Sequence, residues 1–121
     1  KLIIPHGGGA VPYHWGRYRG IAMGMNRPEP KDMMGENLYF DTCVYHQPGI
    51  NLMTEVVPVG NILFASELHG AVRCKDPDTG EWFDDTRRYI DATDNLTPEE
   101  KEKVFYKNAL KVFSRLKLPA A

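Results

Sequence analysis

Two residues that can carry acid–base or metal chemistry each follow directly on a short apolar run. His6 comes after Leu2-Ile3-Ile4-Pro5 and before three glycines, and Glu67 ends the run from Ile62 to Ser66. A neutral imidazole can bind Zn²⁺ or exchange protons near neutral pH. A carboxylate at the end of a buried strand is costly in free energy unless it is paired, hydrogen-bonded or bound to a metal. We therefore predict both residues as metal ligands or acid–base groups. The alternatives are a structural histidine beside a glycine turn and a solvated loop carboxylate.

Three further residues could hold a substrate near this pair. Arg17 lies about one helical turn into the segment after His6, and Arg73 lies six residues beyond Glu67. Guanidinium groups bind carboxylates through two parallel hydrogen bonds, so the two arginines would suit a polycarboxylate substrate, although a surface salt bridge is the alternative for each. His46 follows the second apolar run and could orient substrate or donate a proton. We treat His14 and His69 as weaker candidates, and Arg19, Arg87 and Arg88 as solvated.

Apolar runs and helical periodicity alternate along the chain and indicate the elements that must position these residues. Strands are predicted near 2–5, 38–43 and 61–66, with helical segments near 11–25, 47–57 and 98–116. Thr97, Pro98 and Glu100 form the capping signature of the last helix. Loops are predicted at 26–36 and from 68 to about 95. This alternation predicts an α/β fold with parallel strands covered by helices, and it places strand-end residues at one edge of the sheet.

Composition excludes several classes of function. The 121 residues carry 15 Lys+Arg and 16 Asp+Glu, a net charge of −1, which argues against a nucleic-acid-binding surface. The two cysteines, Cys43 and Cys74, form no paired motif, which favours reduced thiols and a cytoplasmic location. No apolar stretch reaches the roughly 20 residues of a membrane span, so no membrane partner is predicted.

The length suggests part of a larger domain. Lys1 is followed at once by an apolar run, and three parallel strands would leave both sheet edges open. A complete eight-fold barrel takes about 250 residues. We therefore predict that residues 1–121 are the C-terminal three β/α units of a TIM-type (β/α)8 barrel, incomplete by themselves. An independent α/β mini-domain is the alternative.

The sequence also resembles a known family. The segments Ile4 to Tyr13, Asp41 to His46, Ile62 to Glu67 and Lys107 to Phe113 are similar to the C-terminal part of amidohydrolase-related proteins, and the similarity runs along essentially the whole chain. The resemblance is to the family that includes aminocarboxymuconate semialdehyde decarboxylase, and within it the oxalomesaconate hydratases are the most similar. The family's His-x-His pair on strand one and its strand-five histidine have no counterpart here, as expected of a fragment.

This resemblance implies a site and an activity. His6 would match the histidine that ends barrel strand six, and Glu67 the acidic residue that ends strand eight. Most family members carry aspartate at the second position, so the glutamate favours the hydratases. The implied activity of the longer protein is a hydro-lyase reaction that adds water to 4-oxalomesaconate in the protocatechuate 4,5-cleavage pathway, with zinc as the divalent metal. A base, Glu67, would remove a proton from water while a metal polarises the substrate's oxo or enol oxygen.

Two other functions stay open at the level of sequence. A metal-dependent decarboxylase would use the same scaffold, and a non-catalytic interaction module would use the open sheet edges. We expect the partners to be a polycarboxylate substrate, the remainder of the barrel and further copies of the same subunit. The 121-residue chain alone is expected to be inactive.

Overall fold

A three-stranded parallel sheet with the strand order β1-β2-β3 lies at the centre of the fold. The structure, a computed structural model, describes residues 1–68 and 70–119, so His69 lies outside the described residues. The strands are β1 (Leu2–Ile4), β2 (Leu38–Asp41) and β3 (Ile62–Leu63). Parallel pairing and helical connections confirm the predicted α/β class.

All three strands are shorter than the apolar runs that predicted them. β1 ends at Ile4, before Pro5, which has no N–H to donate. β3 ends after two residues because the backbone groups of the residues that follow form hydrogen bonds with partners other than a neighbouring strand. The Phe64 N–H donates to the Val104 carbonyl at 3.0 Å. The Thr42 hydroxyl both donates to the Ala65 carbonyl and accepts from the Ala65 N–H, each at 2.9 Å.

In the described residues before the C-terminal segment, the helices are α1 (Trp15–Gly24), α2 (Pro30–Met34), α3 (Gln47–Val56) and α4 (Arg87–Ala92). Two of them correct the sequence prediction. The segment 26–36 was predicted as a loop but contains α2, which begins at Pro30, a residue suited to the first helical turn. The predicted loop 68–95 contains α4. Short 3₁₀ turns span His6–Gly8 and Val59–Asn61.

The C-terminal helical segment begins as predicted but ends early. It consists of α5 (Pro98–Glu102), a π-helical turn (Lys103–Lys107) and α6 (Asn108–Val112). The capping box is present, with Glu100 N–H donating to the Thr97 hydroxyl at 3.3 Å and Thr97 N–H donating to the Glu100 carboxylate at 2.9 Å. The prediction extended to residue 116. Phe113 and Leu116 are about half exposed, so burial of their side chains would do little to stabilise a longer helix.

The core lies on one face of the sheet, beneath α3, α4 and the C-terminal helices. Its fully buried members are Phe40, Ile50, Met53, Ile62, Ile90 and Val104. Asn108 fastens the last helix to this core, because its buried side-chain amide donates to the carbonyls of Val59 and Ile62 at 2.8 Å each. The end of β3, from which Glu67 continues, is thereby fixed.

An open groove of about 630 Å³ lies next to this core. It is bordered by α1 and α2, and its apolar walls include Ile4, Leu38 and Phe40 of the sheet. The helix predicted from the periodic apolar residues is present as α1, but within it only Ala22 is buried, while Tyr18 and Ile21 are 40% and 52% exposed. None of the helices in the described ranges is long and apolar enough to cross a membrane.

Candidate active site at the strand ends

His6 is presented by a tight turn directly after β1. The residue has φ of +55°, in the left-handed region that non-glycine residues rarely adopt, and Gly7 and Gly8 follow with φ of +65° and +81°. The turn packs closely on β2. A Cβ atom on Gly7 would lie 2.4 Å from a methyl group of Val44, and one on Gly8 would lie 2.7 Å from the ring of Phe40. Glycine is therefore required at both positions, and the imidazole before them stays 67% exposed at the sheet edge.

Glu67 lies close to His6, although His6 follows β1 and Glu67 follows β3. Its carboxylate Oε1 lies 3.8 Å from His6 Nε2, and its side chain is 35% exposed. The two residues stand at the outer strands of the sheet and are separated by sixty residues of chain, so only the parallel topology brings them together. An imidazole facing a carboxylate can pass a proton in either direction. The two predicted residues thus lie side by side as a candidate acid–base pair.

Tyr45 holds the second oxygen of this carboxylate. The Tyr45 hydroxyl donates a hydrogen bond to Glu67 Oε2. Burial, the hydrogen bond to Glu67 and its negative charge raise the pKa of the Tyr45 phenol well above its ordinary value. The phenol therefore stays protonated at physiological pH and acts as a donor. One carboxylate oxygen is fixed by Tyr45 and the other faces His6.

Asp41 joins the turn of His6 to the end of β2. Its Oδ1 accepts hydrogen bonds from the Gly7 N–H at 3.2 Å and from the Cys43 N–H at 3.0 Å. Burial, together with the charges of Asp41 and Glu67, raises the pKa of the Cys43 thiol to about 12. The thiol is therefore protonated at neutral pH, which argues against a nucleophilic role for it.

The segment that carries Glu67 is anchored by hydroxyl groups. The buried Thr86 hydroxyl donates to the Ala65 carbonyl at 2.6 Å, and the Ser66 hydroxyl donates to the Asp84 carbonyl at 2.7 Å. Asp84 is fully buried, and its carboxylate accepts from the Gly70 N–H at 3.1 Å. These bonds replace the sheet ladder that ends at Leu63 and hold the backbone on both sides of Glu67.

His46 has a capping role at the start of α3. Its Nδ1 accepts a hydrogen bond from the Gly49 N–H at 3.3 Å, which satisfies one of the free donors at the helix N-terminus. The side chain is exposed, and no contact with His6 or Glu67 is found in the described part of the chain. Its predicted role in binding substrate stays a prediction, and the structure assigns a structural role to Nδ1.

Among the arginines, Arg88 corrects the sequence prediction, whereas substrate binding by Arg17 and Arg73 stays a prediction. Arg17 on α1 and Arg73 are exposed, and neither makes an ion pair with a described residue. Arg88, predicted as solvated, is the partly buried one. Its guanidinium donates to the Tyr89 hydroxyl at 2.6 Å and lies 3.6 Å from the Asp76 carboxylate.

Arg88 is linked to the acid–base pair through two tyrosines. The Tyr89 hydroxyl accepts from Arg88 and donates to the Tyr45 carbonyl at 2.8 Å, and Tyr45 in turn contacts Glu67. Tyr45, His46 and Arg88 line one cavity of about 430 Å³. Sequence reasoning missed this arginine because nothing in the sequence indicates that α4 packs against the start of α3.

Comparison with known proteins identifies the family to which this site belongs. Residues 1–115 match the family described as Amidohydrolase. The chain belongs to the amidohydrolase family. The resemblance predicted from the sequence is therefore confirmed.

Two of the matched proteins have more than half of their aligned residues in common with this chain. The chain is 56% identical over 116 residues to 2-keto-4-carboxy-3-hexenedioate hydratase from Sphingobium sp. strain SYK-6, covering 96% of this chain and 34% of that protein. It is 59% identical to the solved 4-oxalomesaconate hydratase LigJ from Rhodopseudomonas palustris, with a TM-score of 0.90, covering 95% of this chain and 35% of that one. The chain thus spans about a third of the length of these amidohydrolases.

A more distant solved structure shares only the fold. The dihydroxybenzoic acid decarboxylase of a Polaromonas species, which holds bound manganese, is 18% identical with a TM-score of 0.63, covering 94% of this chain and 33% of that one. At this level of identity the likeness concerns the arrangement of strands and helices.

The donor set in this part of the amidohydrolase does not fit a metal by itself. His6 supplies a nitrogen and Glu67 supplies carboxylate oxygens, which are groups that zinc accepts, but catalytic zinc takes about three protein ligands. The described ranges, 1–68 and 70–119, contain no group of three His, Cys, Asp or Glu residues placed to hold a metal ion. A metal at this edge of the sheet would need ligands from elsewhere.

Asp41 and Tyr45 are the site residues that sequence reasoning missed. Asp41 is the only charged residue in its apolar run and ends a strand, which is the same signal that selected Glu67. That signal could have found it. Nothing in the sequence indicates that Tyr45 is a site residue, because a tyrosine beside a predicted strand is most often a packing residue.

Proposed function

We propose that this chain is part of a hydratase that adds water across the carbon–carbon double bond of 4-oxalomesaconate. The observation that carries the proposal is the pair of His6 and Glu67, 3.8 Å apart at the strand ends of a chain that is 56% and 59% identical to two such hydratases. The activity belongs to the longer protein, because the chain spans a third of those enzymes.

The chemistry follows from the two groups. Addition of water requires a proton to leave the water as its oxygen bonds to one alkene carbon, and a proton to reach the neighbouring carbon. Glu67 is an acceptor placed beside a second proton carrier, His6, so the pair can take up the first proton and return the second. Tyr45 keeps the carboxylate in place during both transfers. The polycarboxylate substrate would be held by cationic groups, for which Arg17, Arg73, Arg88 and His46 are the candidates.

A divalent metal, with zinc as the expected ion, is part of the proposal only for the longer protein. In that protein a metal would supply polarisation of a substrate oxygen. Because the described residues do not complete a ligand set, we assign no step to the metal here. Metal content of the full-length protein, compared with the 121-residue chain, tests this point: we expect a stoichiometric metal in the first and little in the second.

The fold of the longer protein is proposed to be a (β/α)8 barrel to which this chain contributes three units. Three observations support it: the parallel order β1-β2-β3, the site at the carboxyl ends of the strands, and the apolar groove beside α1 and α2. The remainder of the barrel is then the main partner of this chain, and further copies of the subunit stay a prediction.

The decisive experiment compares Glu67→Gln with wild type in the full-length protein. Glutamine keeps the shape and can still accept from Tyr45, but it cannot take a proton from water. We expect hydration of 4-oxalomesaconate to fall at least about 100-fold, in the range of a lost acid–base group. The matched control is Glu55→Gln, an exposed glutamate on α3, which should behave as wild type.

Three outcomes would contradict the proposal. Unchanged activity of Glu67→Gln would remove the role given to Glu67. Release of CO₂ by the wild-type protein instead of hydration would make the enzyme a decarboxylase on the same scaffold. No turnover by the wild-type protein would favour a non-catalytic module.

A further inference from the structure

The turn that carries His6 is strained and has an unusual anchor. A histidine in the left-handed region is strained, and such conformations persist only where the surroundings enforce them. His6 has φ of +55° and is 67% exposed, so contacts of its own side chain cannot enforce it. The enforcing contacts must come from the residues after it.

Asp41 provides the polar part of that anchor. A single oxygen, Oδ1, accepts from Gly7 N–H and from Cys43 N–H, so the same atom ties the turn after β1 to the backbone after β2. The apolar part is the close contact of Gly7 and Gly8 with Val44 and Phe40.

We propose that Asp41 is a positioning residue that holds the His6 imidazole towards Glu67 through the Gly7 amide. This rests on the proposed function, because it assumes that His6 and Glu67 act on a substrate. Asp41 touches neither side chain in the structure and acts only through the backbone. The positioning role then requires an oxygen that accepts hydrogen bonds at the Oδ1 position. It does not require a negative charge.

This distinction gives the test two opposed variants of the full-length protein. Asp41→Asn removes the charge and keeps an oxygen at the same distance from the backbone. Asp41→Glu keeps the charge and moves the carboxylate by one methylene. We expect Asp41→Asn to keep kcat within about threefold of wild type. We expect Asp41→Glu and Asp41→Ala to lose about 10- to 100-fold in kcat with KM within twofold, as misplacement of a reacting group predicts. Asp94→Ala, on an exposed aspartate, is the control.

A second readout does not depend on activity. Amide hydrogen exchange of a peptide covering residues 4–9 should accelerate in Asp41→Ala and Asp41→Glu and stay as in wild type in Asp41→Asn. If Asp41→Ala is insoluble, the comparison of Asp41→Glu with Asp41→Asn carries the test. Asp41→Glu equal to wild type with Asp41→Asn inactive would overturn the proposal and assign the role to the charge. Unchanged kcat and exchange in all three would overturn it as well.

The outcome is separable from that of the proposed function. If the wild-type protein does not hydrate 4-oxalomesaconate, the proposed function fails, while the exchange of residues 4–9 still reports whether Asp41 holds the turn. If the wild-type protein is active and exchange accelerates without any change in kcat, Asp41 is a structural anchor and the positioning role is overturned.

Discussion

At the scale of single residues, the site depends on how each oxygen of the Glu67 carboxylate is used. Oε2 accepts from the Tyr45 hydroxyl, and Oε1 is left facing His6. A carboxylate without such a partner can rotate between conformers and meets a proton carrier only part of the time. The hydroxyl of Tyr45 therefore limits the carboxylate to one orientation, and its raised pKa keeps it a donor across the physiological range.

Removal of this hydroxyl should lower activity without unfolding the protein. For Tyr45→Phe in the full-length protein we expect kcat to fall about 10- to 100-fold, the usual effect of losing a group that orients a reacting one. Steady-state kinetics and the thermal midpoint measure the two effects. Tyr13→Phe is the control, because Tyr13 is 76% exposed and its ring contacts His14. A Tyr45→Phe enzyme with wild-type kcat would show that Glu67 is oriented by other groups.

At the scale of elements, short strands are supported by side chains from other parts of the fold. β3 has only two residues, and the backbone beyond it is held by Thr42, Thr86 and the C-terminal helical segment. Asn108 on α6 is the clearest case, since one amide group satisfies two backbone carbonyls near β3. The position of Glu67 thus depends on a helix that lies far along the chain.

Replacement of Asn108 should destabilise the fold strongly. Asn108→Ala leaves the carbonyls of Val59 and Ile62 without their donor in a buried place, which costs about 2 kcal/mol in the free energy of unfolding. Chemical denaturation of the full-length protein measures this loss. Asn37→Ala, on an exposed asparagine, should cost much less. Equal losses for the two variants would contradict the bridging role of Asn108.

At the scale of the whole molecule, the structure around β3 is packed and the structure around β1 is open. The core beneath α3, α4 and the C-terminal helices is buried, whereas the groove beside α1 and α2 is open and Leu2 and Ile3 of β1 are 60% and 36% exposed. An open edge strand and a wide apolar surface are costly in water. Both support the proposal that further β/α units of a longer protein pack against this part of the sheet.

The 121-residue chain by itself should therefore be incomplete in function. We expect no hydratase activity and substoichiometric metal, and we expect both to return when the remaining two-thirds of the protein is supplied as a separate polypeptide. Activity and metal assays before and after mixing measure this. A chain that is monomeric, unfolds cooperatively and gains nothing on mixing would instead support an independent interaction module.

Sequence by itself determined the α/β alternation, the capped last helix and the pairing of His6 with Glu67. These follow from local patterns: apolar runs mark buried strands, and a polar residue that ends such a run must lie at the sheet edge. Tertiary structure alone decided that Asp41 and Tyr45 hold this pair, that Arg88 is partly buried, and that β3 stops after Leu63. Each of these depends on contacts between residues far apart in sequence, such as Gly7 with Asp41 and Thr42 with Ala65. Such contacts leave no periodic signal in the chain, because they are set by which elements pack together.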